Sequence, residues 1–297
     1  MPNLPITICA VLTCFNRKEK TLECLRRLKS QEITFDAEVK IIVVDDGSTD
    51  GTSQAISDRY PDVEVLHGDG NLFWNGGMRM AIDHAASYTP NFFLWINDDT
   101  VLYHNALQNL LSTFYELKPD LDRMPIIAGS VRDPDTENLT YGGSVHINPW
   151  ILPLRFRLIH PKDRPVQVDI FNGNCVLVPF ETYALIGNLH PNLIHDAGDY
   201  EYGLRAKKVG ITSWICTGFV GTCTTNPVEG TWLDPELSLK RRYKLLLSVK
   251  GNPPGPRFYY YKSYGGPLWF LVYPLIYVRP LIVSIKKMMN NNRNQEN

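Results

Sequence analysis

The sequence predicts an α/β protein with a mostly parallel sheet flanked by helices, and three observations predict it. Short apolar runs rich in branched residues (ITICAVL, VKIIVV, VEVL and FFLWI) recur through the first half of the chain. Segments of helical period follow three of them, an alternation that buries a parallel sheet on both faces. Polar clusters stand just after the runs, at the strand ends where ligands of open α/β sheets bind.

The elements follow in order. The first strand runs out into Thr13, Cys14, Phe15, Asn16 and Arg17, and a helix is expected over 17–30 with Leu22, Leu25 and Leu28 on one side. After VKIIVV come Asp45, Asp46, Gly47, Ser48, Thr49 and Asp50, of which Ser48 or Asp50 suits the cap of a short helix over 52–60. A third helix is expected over 76–88, opened by the pair Gly76 and Gly77, and FFLWI closes on Asn97, Asp98 and Asp99. Beyond about residue 125 the strands IIAGSV, VQVDI and NCVLV lack helices between them, and helical stretches return over 180–186 and 198–209. That rhythm predicts a mixed extension of the same sheet. The polar ending NNNRNQEN is expected to be disordered.

Composition narrows the class. A chain of 297 residues with 44% hydrophobic and 21% charged residues can bury a full core, which excludes disordered, collagen-like and disulfide-stapled classes. The net charge of -1 gives no case for nucleic acid, but it hides a split: residues 237–297 carry +10 against −11 for the rest. Six cysteines without a CxxC pair or zinc spacing read as free, mostly buried thiols. The N-terminus lacks a basic leader region, so the expected location is the cytosol.

The basic end reads as amphipathic SLKRRYKLLLSVK followed by an aromatic, apolar and basic stretch. Its longest nearly apolar run, 268–278, is broken by Pro274 and falls short of the roughly 20 residues a spanning helix needs. It is therefore expected to lie on an anionic membrane surface, peripheral on the inner face of the plasma membrane. Helices packed on the body, or on a second subunit in a homodimer, are the alternative. The expected division is a body over 1–235 and a helical extension over 236–297.

Several segments could carry chemistry. In an extended chain Asn97 and Asp99 share a face while Asp98 points the other way. Such a strand end can offer carboxylates to Mg2+ or Mn2+, or it can be a turn-and-cap cluster opening a helix after Thr100. Asp45 and Asp46 pose the same choice, because buried carboxylates need donors such as a base N–H or a ribose hydroxyl. Asn75, Gly76, Gly77 and Arg79 combine a Gly pair with a helix start, where N–H groups and a guanidinium can meet phosphates; the Gly pair can equally be a tight turn and Arg79 a solvated residue. Asp199 follows a Gly at a helix start, where the dipole keeps a carboxylate ionised.

Taken in order and spacing, TCFNRKEKTLECLRRLKSQ, IIVVDDGSTDGT, FFLWINDDT and GDYEYGLRAKKVG resemble the inverting glycosyltransferases of family 2, with the GT-A fold of nucleotide-diphospho-sugar transferases. With GNLFWNGGMRMAI, the pattern is similar to the branch of bacterial rhamnosyltransferases and other polysaccharide-assembly enzymes. The resemblance implies that Thr13 and Asn16 line the nucleotide pocket, Asp46 bonds the pyrimidine base, Asp98 lies near the ribose and Asp99 holds the metal. It implies Asp199 as general base, with Asn172, Gly173 and Asn174 under the donor sugar. Arg17 and Asn97 join the donor-binding set, and Trp150 and His195 are expected on the acceptor side. The resemblance also implies a His after the base helix to complete the metal site; here none follows His195, so Cys223, Thr222 or water would serve, or Asp99 and the diphosphate alone hold the metal.

These expectations amount to an inverting, metal-dependent transfer from a nucleoside-diphosphate sugar, dTDP-rhamnose or a UDP-hexose, to a hydroxyl of a lipid-linked glycan. Two rivals stand beside it. One is a non-catalytic nucleotide-sugar-binding assembly subunit; the other is a nucleotidyltransferase, whose Gly-rich phosphate loop TCFNRKEK lacks.

Overall fold

The computed structural model describes residues 5–148 and 152–284. Within these, the chain forms two compact units. The first comprises 5–145, 156–191 and 198–225; the second takes the intervening segments and 226–284.

The first unit begins with β1 (Ile6–Cys14), α1 (Lys18–Lys29), β2 (Ala37–Asp45), α2 (Thr52–Arg59), β3 (Glu64–His67), α3 (Phe73–Ala86) and β4 (Phe92–Ile96). β1 pairs in parallel with β2 and β4, and β2 with β3, so the C-terminal ends of β1, β2 and β4 share one rim. Alternation along β1 explains the two-sided core. Ile8, Ala10 and Leu12 join Leu22, Leu25 and Leu110 on one face, while Cys9 and Val11 join Met78, Ile82 and Tyr202 on the other. All six cysteines are free and buried within this packing.

The second half adds β5 (Val101–Leu102), α4 (Ala106–Leu117), β6 (Ile126–Arg132), β7 (Leu139–Tyr141), β8 (Gly143–Asn148), β9 (Leu152–Leu158), β10 (Val166–Val168) and β11 (Ile170–Phe171). β12 (Cys175–Pro179), α5 (Phe180–Ile186), α6 (Gly198–Lys208) and β13 (Ser213–Thr222) follow. The main sheet runs β10-β13-β6-β12-β4-β1-β2-β3, and β12 is antiparallel to both β4 and β6. It is the mixed extension the sequence predicts. β8, β9 and β11 form a separate three-stranded sheet.

Three boundaries differ from expectation, each for a local reason. α1 begins at Lys18 because Arg17, with φ −137, stays outside the helix. α3 begins at Phe73, so Gly76 and Gly77 lie inside it rather than before it. Asn97, Asp98 and Asp99 lead into β5, and α4 starts only at Ala106 after Asn105, which removes the helix-cap reading of this cluster.

The second unit contains α7 (Leu239–Leu246), α8 (Pro254–Tyr264) and α9 (Trp269–Val272), with further helix over 275–284. Ser238 caps α7 by accepting from Arg241 N, which satisfies one of the unpaired N–H groups of the first turn. Arg242 is fully buried, donating Nε to Trp232 O at 3.0 Å and Nη1 to Ser284 Oγ at 2.8 Å. Phe258 of α8 packs edge-on against Trp269 and Tyr273, and the Tyr273 and Tyr277 hydroxyls donate to Pro254 O and Asn252 O. No helix among the described residues is long and apolar enough to cross a membrane.

Candidate functional site

Strand register assembles the site. The antiparallel pair Cys175↔Ile96 sets Asn174, just before β12, beside Asn97, just after β4. The pair Thr222↔Val101 sets Cys223 beside Asp99. Two segments distant in sequence thus converge on the end of β4. Asn97 N donates to Asn174 O at 3.3 Å, and Asn174 Nδ2 reaches Thr100 Oγ1 at 3.4 Å and Cys223 Sγ at 3.5 Å.

Asp98 and Asp99 are bridged by one nitrogen. Arg17 Nη1 lies 3.1 Å from Asp98 Oδ1 and 3.0 Å from Asp99 Oδ2. Burial pushes the Asp98 carboxyl up to about 6 despite the neighbouring guanidinium, and its Oδ2 is buried without a hydrogen-bond partner. Burial disfavours the Arg17 charge, but Asp98 and Asp99 outweigh that and raise its pKa. Cys223 Sγ donates to Asp99 Oδ1 at 3.6 Å, and burial followed by the Asp99 charge pushes this thiol up to about 12. Of the candidates expected to complete the site, Cys223 thus stands beside Asp99.

These residues fit a hard divalent cation. Carboxylate oxygens are its preferred donors, Asp98 Oδ2 is a vacant buried acceptor, and a guanidinium already bridges the pair as a cation would. Among the described residues no group of three or more His, Cys, Asp and Glu gathers to hold a metal. For Mg2+ the usual further ligands are a substrate's phosphates and water.

Asp46 is held differently. Its Oδ1 accepts from Gly70 N at 2.9 Å and Leu72 N at 3.2 Å, and its Oδ2 from Phe73 N at 3.0 Å. The donors expected from a nucleotide base are largely supplied by backbone, and this cluster starts α3 three residues before Gly76. Oδ2 keeps capacity for one further donor, since an ionised carboxylate has about four acceptor sites. Asp45 Oδ1 accepts from Ser48 N at 2.9 Å, and its Oδ2 from Ser53 Oγ.

The early start of α3 corrects the phosphate-loop reading of the Gly pair. Gly76 N is already bonded to Leu72 O at 3.0 Å within the helix. A Cβ at Gly77 would stand 2.1 Å from Thr13 Oγ1, so this glycine permits contact between α3 and β1. Thr13 itself donates to Val44 O at 3.1 Å. Asn75 is fully buried, and a Cβ at Gly198 would run into its Oδ1. Arg79 lies further along α3 and its backbone oxygen accepts from Asn188 Nδ2 at 2.9 Å.

Asn16, at φ 51, ties two rim loops together. Its N donates to Ser48 Oγ at 2.8 Å, and its Oδ1 accepts from Thr49 N at 2.8 Å. Asp50 adds a second tie, accepting from Lys18 N at 3.0 Å and Thr52 N at 3.1 Å.

Asp199 opens α6, and its Oδ2 accepts from Gly173 N at 2.9 Å. Asn172 Nδ2 reaches the neighbouring Tyr200 OH at 3.4 Å. Gly173 lets Trp74 approach, since a Cβ there would stand 2.5 Å from the indole, and Trp74 Nε1 donates to Asn97 Oδ1 at 2.7 Å. An unbroken chain of contacts therefore runs from Arg17 and the acid pair through Asn97, Trp74 and Gly173 to Asp199. Trp74 is a link the sequence reading passes over; its signal was an aromatic residue directly before a buried Asn and two glycines. His195 belongs to the second unit, and Trp150 lies outside the described residues.

Comparison with known proteins gives the family and the fold. The family described as Glycosyl transferase family 2 matches residues 9–176. An N-acetylglucosaminyl-diphospho-decaprenol L-rhamnosyltransferase of Mycobacterium tuberculosis (strain CDC 1551 / Oshkosh) is 25% identical over 205 residues, 62% of this chain and 66% of the relative. The matched part thus spans about two thirds of that relative's length. Among solved structures, a mannosyltransferase of Pyrobaculum calidifontis in complex with GDP-Man and Mn2+ superposes with TM-score 0.52 at 15% identity, covering 94% of this chain and 70% of that one. S. aureus TarS in complex with UDP gives TM-score 0.54 at 14% identity, covering 85% and 69%. Both likenesses concern the GT-A fold.

Proposed function

Because the chain belongs to glycosyltransferase family 2, we propose that it is an inverting enzyme that moves one sugar from a nucleoside diphosphate to a hydroxyl of a lipid-linked glycan. The observation that carries this is the contact chain from the Arg17-bridged acid pair to Asp199. It supports reading one end of the contact chain as the diphosphate-and-cation end and the other as the proton-accepting end.

In this reading Asp199 takes the proton of the acceptor hydroxyl while the oxygen attacks the anomeric carbon. The bond from that carbon to the diphosphate breaks on the opposite face, so the configuration inverts. Gly173 N donates to Asp199 Oδ2 at 2.9 Å and Tyr200 N to its Oδ1 at 2.8 Å, so two backbone N–H groups orient the carboxylate that takes the proton. Asn16 and Thr13 shape the nucleotide end through the loops they tie, and Asp46 Oδ2 offers its remaining site to a base N–H. A Mg2+ or Mn2+ ion on Asp99 and Asp98 would supply charge stabilisation for the leaving diphosphate. The relative's name supports a dTDP-rhamnose donor and a polyprenyl-diphosphate acceptor, and the UDP complex of TarS keeps UDP-hexoses in play.

The test is release of nucleoside diphosphate from dTDP-rhamnose and UDP-hexoses with a polyprenyl-diphosphate-GlcNAc acceptor. Asp199→Asn should lower turnover on the order of 10²–10⁴-fold while donor binding persists. Turnover unchanged in Asp199→Asn would overturn the assignment of the base. Donor binding without any transfer by the wild type would favour the assembly-subunit reading.

The second unit supports a peripheral membrane location on the cytosolic side. Leu268, Phe270, Leu271, Leu275, Val278, Leu281 and Ile282 are exposed, whereas Trp269, Tyr273 and Tyr277 turn inward onto the same unit. An exposed apolar set in a segment of net charge +10 suits an anionic bilayer. Vesicles with phosphatidylglycerol should bind the protein in a salt-dependent way that Leu271→Ser with Leu275→Ser weakens. A salt-independent dimer that ignores vesicles would assign the set to a second copy instead.

A further inference from the structure

Arg17 sits where a cation between the two acids would sit. A single nitrogen, Nη1, contacts Asp98 Oδ1 and Asp99 Oδ2, and no other hydrogen bond of this side chain is made among the described residues. A metal ion bound to those oxygens at about 2.1 Å cannot coexist with a nitrogen 3.0 Å from them on the same side. The guanidinium has to leave first.

Its freedom to leave is visible. The Arg17 side chain is 42% exposed, whereas the Asp98 and Asp99 side chains are 7% and 15% exposed. The backbone on both sides of it is fixed, because Asn16 is clamped to Ser48 and Thr49 and Lys18 N is bonded to Asp50. Rotation of the side chain, and no movement of the loop, exchanges its partners. The partner best suited to receive it is a diphosphate, since a guanidinium pairs with phosphate oxygens by two parallel hydrogen bonds. The same diphosphate must supply the ligands that the two carboxylates cannot.

We propose that Arg17 is the resident counter-ion of the Asp98–Asp99 pair and yields its place to a divalent cation only when a nucleoside diphosphate arrives to take the guanidinium. Cation and donor then bind as one unit, and the donor-free site is kept closed to metal. This rests on the donor-site reading above.

The experiment is Mn2+ binding followed by the spin-resonance signal of free Mn2+, on wild type, Arg17→Ala and Arg17→Lys, with thermal unfolding as the check on folding. For Mn2+ alone, Arg17→Ala should bind about tenfold more tightly than wild type, and Arg17→Lys should stay near wild type. A merely structural role for Arg17 would move the affinity the other way. With dTDP or UDP present, wild type should gain Mn2+ affinity, and Arg17→Ala should lose about tenfold in nucleotide affinity. Unchanged or weaker binding of Mn2+ alone by folded Arg17→Ala overturns the inference. Failure of either nucleotide to raise Mn2+ affinity in wild type overturns the donor-site reading itself, and the metal-only arm still decides the place of Arg17.

Discussion

The chain carries two adjacent acid pairs on the same rim, Asp45–Asp46 at the end of β2 and Asp98–Asp99 after β4, and the protein treats them in opposite ways. The first pair is satisfied by neutral donors: three backbone N–H groups for Asp46, and Ser48 N with Ser53 Oγ for Asp45. Among the described residues, the second pair has only the Arg17 charge and the Cys223 thiol as hydrogen-bonding partners, and one of its buried oxygens has none. A carboxylate saturated by backbone amides builds a loop. A carboxylate pair held by an exposed side chain keeps a place for something else.

Substitutions can break or sharpen this contrast. The largest effect is expected at Asp99. Asp99→Ala should lower turnover on the order of 10²–10³-fold and leave the melting temperature nearly unchanged, as read by product formation and calorimetry. Next comes Asp46→Ala, which orphans three N–H groups and should cost about 1–3 kcal/mol in denaturant unfolding. Asp45→Ala should cost less, about 0.5–1.5 kcal/mol by the same measurement, because it removes a turn and a side-chain contact. Smallest is Asp98→Asn, expected within about 1 kcal/mol of wild type, since the lost ion pair is offset by relief of a buried charge. If Asp98→Asn and Asp99→Ala destabilise the fold more than Asp46→Ala, the contrast between the pairs fails.

Much of this arrangement was legible in the sequence, and what was not has physical reasons. The parallel strands and their helices follow from local periodicity, so β1 to β4 and α1 fall where the apolar runs put them. Both acid pairs were visible as polar residues after strands, but their local pattern is identical, and only register tells them apart. Asn174 reaches Asn97 and Thr100, and Cys223 reaches Asp99, through antiparallel pairings that span long stretches of chain, which no local pattern encodes. The start of α3 was misplaced for a similar reason. Glycines suggested a turn at Gly76, yet a carboxylate from another loop starts the helix at Phe73. The helix-cap alternative for Asp98 and Asp99 fell because α4 opens several residues later.

The central claim is that Asp98 and Asp99 form a cation-dependent nucleoside-diphosphate site, and calorimetric titration of the full chain tests it most directly. dTDP and UDP should be titrated with Mn2+, with Mg2+ and after chelation, into wild type and Asp99→Ala. One nucleotide is expected to bind wild type only when a divalent cation is present, and Asp99→Ala to abolish this dependence. Binding of neither nucleotide, or equally tight binding after chelation, would contradict that claim.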